Sequence, residues 1–432
     1  MRRGWGTAAA LAAALGLAAA PAHAAGIELL GDQALDGRLH ELTLRTDALD
    51  APTRVRVLLP AGYDAAPQAR YPVLYLLHGG NGTFVDWTLQ GGAEAATAGL
   101  PLIVVMPDAG RGGWYTDWYA AGINGQRPRW ETYHVKQLIP FVDRTFRTRA
   151  GRSGRAIAGL SMGGFGAMSY AARHPDRFVA AASWSGAVDT NQPPGIAHAL
   201  DLIGGLDWGA PGSLFGLRET QEIRWRGHNP WDLAGNLRGL VLSIRTGNGR
   251  PGGAFGGGPD ALETIVHPMG VALHQRLDGY GIAHVFDDYG PGAHAWAYWN
   301  RDLKQDLPAI MAAFGRPAPT RVDYRTIEPE YRVYGWHVRV NRDVSEFSTL
   351  ARASRAGFVL TGSGDAQVDT PPVYRPGRAV RVRVGDVVQR VRAGTRGRLR
   401  ISVSLGPSNT IQEYRPGPRT TRRLEVAITP AR

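Results

Sequence analysis

No cysteine occurs among the 432 residues. Disulfide staples, thiol nucleophiles and cysteine-ligated zinc are therefore excluded, and a chain of this length must rest on its apolar core. Long apolar runs are also missing, apart from an alanine-rich stretch from Ala8 to Ala20. Arg2 and Arg3 precede it and Ala22-His23-Ala24 follows it. The run is too short and too weakly hydrophobic for a membrane span. With its basic start and A-x-A end it reads as an export signal over residues 1–24. The expected mature chain starts near Ala25, is secreted, and has no transmembrane anchor after signal removal. Lysine is absent from residue 316 onward, where 22 Arg stand against 10 Asp plus Glu, a net of +12. The whole chain also carries +12, so residues 1–315 sum to zero. A neutral main part argues against a catalytic site for polyanions. The basic part reads as an accessory domain, either one that docks to an anionic cell-wall polymer or one whose arginines reflect composition alone. Nucleic acid is not an expected partner of an exported protein.

Two patterns divide the rest. Leu39 to Thr46 and Arg54 to Leu59 alternate like half-buried strands. Val73 to Leu77 and Leu102 to Met106 are continuous apolar runs, as in strands buried on both faces of a parallel sheet. Further strands are expected at Phe178 to Ser183, Leu240 to Thr246 and Ala283 to Tyr289. Helices are expected at Trp130 to Phe146, after Ser161, at Asp260 to Leu277 and at Trp296 to Phe314, with an irregular cap over Gly186 to Pro230. Strands alternating with helices indicate α/β architecture with a doubly wound, mostly parallel sheet, over residues 25–315. After Gly315-Arg316-Pro317-Ala318-Pro319, short β-branched stretches at Tyr334 to Val340, Gly357 to Thr361, Ala379 to Val384, Leu399 to Leu405 and Arg423 to Ile428 read as an all-β sandwich over residues 316–432.

Gly159-Leu160-Ser161-Met162-Gly163 reads G-x-S-x-G, with an apolar segment before it and a helix-compatible segment after it. Strand, tight turn and helix form a nucleophile elbow, as in an α/β-hydrolase, with the serine at the apex. A serine hydroxyl needs a base, and the base needs an orienting carboxylate, in the chain order Ser, acid, His. Of the histidines after Ser161, only His294 lies in a loop just past the last expected strand. His174 stops a helix, His228 is in the cap, His267 and His274 are on a helix, and His284 begins a strand. Gly247-Asn248-Gly249, where the acid commonly sits, holds no carboxylate, and residue chemistry leaves Asp260 and Glu263 equally placed. Met162 and Gly80 are the expected oxyanion donors, one following the nucleophile and the other in the glycine-rich loop His78-Gly79-Gly80-Asn81-Gly82.

Several segments occur in a telling order: Leu76-Leu77-His78-Gly79-Gly80, Tyr115-Thr116-Asp117-Trp118-Tyr119, Trp130-Glu131-Thr132, Gly159-Leu160-Ser161-Met162, His228-Asn229-Pro230, Gly247-Asn248-Gly249, Leu262-Glu263 and His294-Ala295-Trp296-Ala297-Tyr298-Trp299-Asn300. Together they resemble the esterase family that includes the antigen 85 mycolyltransferases and S-formylglutathione hydrolase, over about Leu39 to Phe314. The resemblance implies Glu263 as the acid, supports His294, Gly80 and Met162, and matches Trp296 to a tryptophan at the sugar-binding end of the mycolyltransferases. Trp118 and His78 are further candidate substrate contacts. It implies a serine esterase or acyltransferase acting through an acyl-enzyme on a small-molecule or envelope ester, without metal or cofactor. Acyl transfer to an envelope sugar and an inert wall-binding protein are the alternatives. Where the mycolyltransferases carry Asp-Gly-Leu-Arg, this chain has His78-Gly79-Gly80-Asn81, so residues that help hold trehalose are absent. Gly163-Gly164 replaces two alanines.

Overall fold

The computed structural model describes residues 26–192 and 196–431; the expected export signal lies outside them. Strands β1 (Ile27–Ala34), β2 (Leu39–Thr46), β3 (Thr53–Leu58), β4 (Val73–Leu77), β5 (Ile103–Pro107), β6 (Arg155–Leu160), β7 (Ala180–Trp184), β8 (Val241–Thr246) and β9 (Val285–Asp288) form one nine-stranded sheet. Its order is β1-β2-β3-β5-β4-β6-β7-β8-β9. The pairs from β5 to β9 are parallel, and β1, β2, β3 and β5 are joined antiparallel. Strands β4, β5, β6 and β7 are buried at every residue, which is why β4 and β5 read as unbroken apolar runs. Strand β1 has no such signature because nearly its whole length is exposed.

Single-turn helices α1 (Asp86–Leu89) and α2 (Ala93–Ala96) follow β4. The helix expected from residue 130 is a π-helical stretch, Thr132–Leu138, that runs into α3 (Ile139–Thr145). Pro140, in the first turn of α3, has no N–H for the ladder, so the winding changes where that bond would fall. Helix α4 (Met162–Arg173) leaves the elbow. The region expected to be an irregular cap contains two helices, α5 (Ile196–Gly204) and α6 (Arg218–His228). Helices α7 (Ala261–Gly279) and α8 (Trp296–Ala313) flank the far half of the sheet. Among the described residues no helix is long and apolar enough to cross a membrane.

Beyond α8 the chain is all β: β10 (Val322–Thr326), β11 (Glu330–Val333), β12 (Trp336–Asn341), β13 (Ser348–Ser354), β14 (Gly357–Gly362), β15 (Asp365–Asp369), β16 (Ala379–Val384), β17 (Val387–Arg392), β18 (Arg400–Ser404) and β19 (Arg422–Pro430). They make a six-stranded sheet, β10-β13-β14-β19-β16-β17, and a four-stranded one, β11-β12-β15-β18. Leu350, Leu360 and Val382 of the larger sheet and Val338, Val368 and Ile401 of the smaller share one buried core. This sandwich is docked on the α/β part. Ile327 and Phe347 join the core of the larger domain, and Asn236 exchanges two hydrogen bonds of 2.8 Å with the Arg325 backbone. The Tyr324 hydroxyl donates to the Arg173 carbonyl at 2.7 Å, at the end of α4.

A polar network lies between the sheet and α8. Asp306 accepts from Trp184 Nε1 at 2.7 Å, Ser243 Oγ at 2.9 Å and Arg245 at 2.7 Å. Asp302, one turn earlier, is fully buried, and its Oδ2 has no protein partner. Burial pushes its carboxyl up to about 7 against the pull of Arg301. The folded state therefore holds this proton more tightly than the unfolded chain, and stability from this group falls as pH rises from about 4 toward 7. Relative to wild type, Asp302→Asn is expected to gain thermal stability steadily as pH is raised through that window, by up to a few kcal/mol. Melting curves of both proteins across that range check this, and a pH-independent difference would contradict it.

Candidate active site

Ser161 sits between β6 and α4 with φ 53° and ψ −120°, a left-handed backbone that costs a non-glycine residue strain. Close packing holds it there. A Cβ at Gly163 would lie 2.5 Å from the His78 carbonyl oxygen and 2.6 Å from that of Leu77, and one at Gly159 would collide with the Gly163 carbonyl. The helix and the loop after β4 thus meet backbone to backbone, which explains Gly163 where the antigen 85 pattern has alanine. Met162 is the first residue of α4, so its N–H lies outside the helix's own ladder. Among the described residues the Gly80 N–H also has no protein acceptor. Gly80, Ser161, Met162 and His294 line one cavity of about 390 Å³.

The carboxylate is at the start of α7. Asp260 caps the helix, with Oδ1 accepting from the Glu263 N–H at 2.9 Å. Its Oδ2 accepts from the His294 N–H at 3.0 Å and so anchors the loop after β9. Glu263 itself is fully buried. Its Oε1 accepts from Gly247 N–H at 2.7 Å, Ser185 Oγ at 2.9 Å and Thr246 Oγ1 at 3.1 Å. Its Oε2 accepts from His294 Nδ1 at 2.8 Å. The imidazole is thereby held as the tautomer with a bare Nε2. That Nε2 is buried and has no hydrogen-bond partner within the protein. Trp299 stands edge-on to the ring at 4.9 Å, and its Nε1 donates to Ser185 Oγ at 3.3 Å.

The structure brings Ser161, Glu263, His294, Gly80 and Met162 to one end of the sheet, and places Trp296 on the cavity wall. His78 and Trp118 lie elsewhere, because each is only 1% exposed and neither lines the cavity. His78 supports the loop from beneath: Nδ1 donates to the Gly79 carbonyl at 2.8 Å and Nε2 accepts from Ala109 N–H at 3.0 Å. Trp118 Nε1 donates to the Gly113 carbonyl at 3.2 Å. Ser185, with φ 48°, is a support that sequence reasoning missed, since nothing in Ser183-Trp184-Ser185-Gly186 marks which serine turns toward α7. The structure separates Asp260 from Glu263. Asp260 is spent on the helix N-terminus, and its own N–H goes to the Gly249 carbonyl, so Glu263 does not reach back as a capping-box carboxylate would and turns to His294 instead.

Comparison with known proteins gives the family. The Esterase family model ("Putative esterase") matches residues 46–310. An esterase of Mycobacterium tuberculosis is 34% identical over 305 residues, 68% of this chain and 63% of that relative, so the chain spans less than two thirds of that relative's length. The diacylglycerol acyltransferase/mycolyltransferase Ag85B of Mycobacterium leprae is 31% identical over 57% of this chain and 78% of its own. Among solved structures, an S-formylglutathione hydrolase from Agrobacterium tumefaciens superposes with a TM-score of 0.54 at 18% identity, covering 67% of this chain and all of that one. Mycobacterium tuberculosis MPT51 does so at 0.52 and 24%, covering 63% of this chain and 97% of its own. The chain belongs to the Esterase family, whose model covers more than half of it, and it has the α/β-hydrolase fold.

Proposed function

We propose that the protein is a secreted serine esterase or acyltransferase that works through an acyl-enzyme at Ser161. The observation that carries this reading is His294. One ring nitrogen is bound to a buried carboxylate, and the other is bare and buried beside the cavity that Ser161 lines. In this reading Nε2 takes the Ser161 proton as Oγ attacks the ester carbonyl. The Glu263 carboxylate stabilises the imidazolium that forms, and the Gly80 and Met162 N–H groups receive the oxyanion. His294 then protonates the departing alcohol. Water or a second alcohol, activated by the same nitrogen, releases the acyl group. Trp296 forms part of the wall against which the substrate lies.

The basic sandwich is proposed to dock on an anionic cell-wall polymer or acidic polysaccharide. Arg381 of β16 and Arg390 of β17 are paired directly across the strands, both exposed, with exposed Arg383 and Arg392 on the same two strands. Like charges opposite one another destabilise a sheet, and a polyanion lying across them relieves that repulsion.

Ser161→Ala is expected to abolish p-nitrophenyl ester cleavage and fluorophosphonate labelling; labelling at the wild-type rate would remove Ser161 from the reaction. Glu263→Gln is expected to lower kcat by at least ~100-fold with a much smaller change in KM, because the ring loses its fixed tautomer. The paired change Arg381→Glu with Arg390→Glu is expected to cut retention on purified wall or a uronate polymer at low salt while leaving ester cleavage intact. Equal retention of both proteins would show that this face does not dock.

A further inference from the structure

Far from Ser161, at the other end of α7, a second group of side chains converges. His274 and Asp278 are one turn apart on α7, and His284 stands just before β9. One donor atom from each lies within 4.8 Å of the others. His284 Nδ1 donates to the Ile282 carbonyl at 2.8 Å, which leaves its Nε2 with a lone pair. A backbone carbonyl that fixes the tautomer in this way is the usual outer support of a metal-binding imidazole. That Nε2 faces His274 Nδ1 at 2.8 Å, so a single proton is shared where two nitrogens could both act as ligands. The His274 ring is stacked on Phe286 at 4.1 Å with an interplanar angle of 6°, which limits its rotation. Its Nε2 stands 3.5 Å from Asp278 Oδ2, and Asp278 is exposed, so an ion could reach the group from solvent.

We propose that His274, His284 and Asp278 form a site for a first-row divalent cation, with zinc the ion best matched to two imidazoles and one carboxylate. The ion replaces the proton between His274 and His284; Asp278, whose Oδ2 faces the other ring nitrogen of His274, turns on its exposed side chain to supply the third donor, and water completes the shell. The site would tie the C-terminal end of α7 to the start of β9. Those two elements carry Glu263 and the His294 loop at their opposite ends, so the expected role is a structural clasp outside the reaction. A neighbouring link between the same elements, His267 Nε2 to Asp288 Oδ2 at 2.9 Å, lies outside the donor set and serves as a control.

The test is calorimetric titration of zinc chloride into the untagged full-length protein. Binding of one ion per chain at micromolar concentration is expected. His274→Ala and His284→Ala should each weaken it at least tenfold, Asp278→Asn several-fold, and His267→Ala not at all. Cobalt(II) loaded instead of zinc should give visible bands in the wild type that His274→Ala removes. Asp278 is on the surface, so its variant keeps the test readable should a histidine variant misfold. Absence of zinc binding by the wild-type chain, or wild-type affinity in both His274→Ala and Asp278→Asn, overturns the proposal.

Discussion

A single buried carboxylate organises the end of the molecule that holds Ser161. Glu263 is sealed from solvent, and an ionised carboxylate in that position costs several kcal/mol unless donors surround it. The donors come from three separate places: the loop after β7, the end of β8 with the turn that follows it, and the loop after β9. These segments are far apart in sequence. The charge can be accommodated only when the sheet, α7 and the His294 loop have all assembled, so folding and the shaping of the site are the same event. Asp260 reinforces this by spending one oxygen on the helix and the other on the His294 backbone.

How much of this was legible from the chain depended on what each residue packs against. Strands β4 and β5 stood out because burial on both faces demands apolar residues throughout. Strands β1 and β17 lie almost wholly against water, so their residues carry weaker signals and went unseen, while β16 was read from the valines it alternates into the sandwich core. In the sandwich, β10, β11, β13 and β15 were also missed, since strands of four to seven residues with mixed polarity resemble the turns between them. Ser161 was readable from the glycines that its turn requires. Choosing Glu263 over Asp260 needed either the family pattern or the three-dimensional count of donors. His78 and Trp118 misled because polar and aromatic residues beside a catalytic loop serve as buried braces as readily as substrate contacts.

The glycines around the nucleophile show how narrow the packing tolerance is. Gly163 is pressed against two carbonyl oxygens of the loop that carries Gly80, and Gly164 against Ser183 and Gly186. The separation between the Gly80 and Met162 N–H groups is therefore set by backbone contact. The neighbouring His78 ring, bonded at both nitrogens, keeps the loop from drifting the other way.

The joint between the two domains has a thermodynamic consequence. Ile327 fills the space over Gly227 on α6, and Phe347 is buried in the core of the α/β domain. Detaching the sandwich would bare these apolar surfaces, break the paired bonds of Asn236 and release the end of the nucleophile helix at Arg173. The sandwich is consequently not a module swinging on a linker. It behaves as a buttress, and loosening the β-rich part removes support from the far end of the helix that starts beside Ser161.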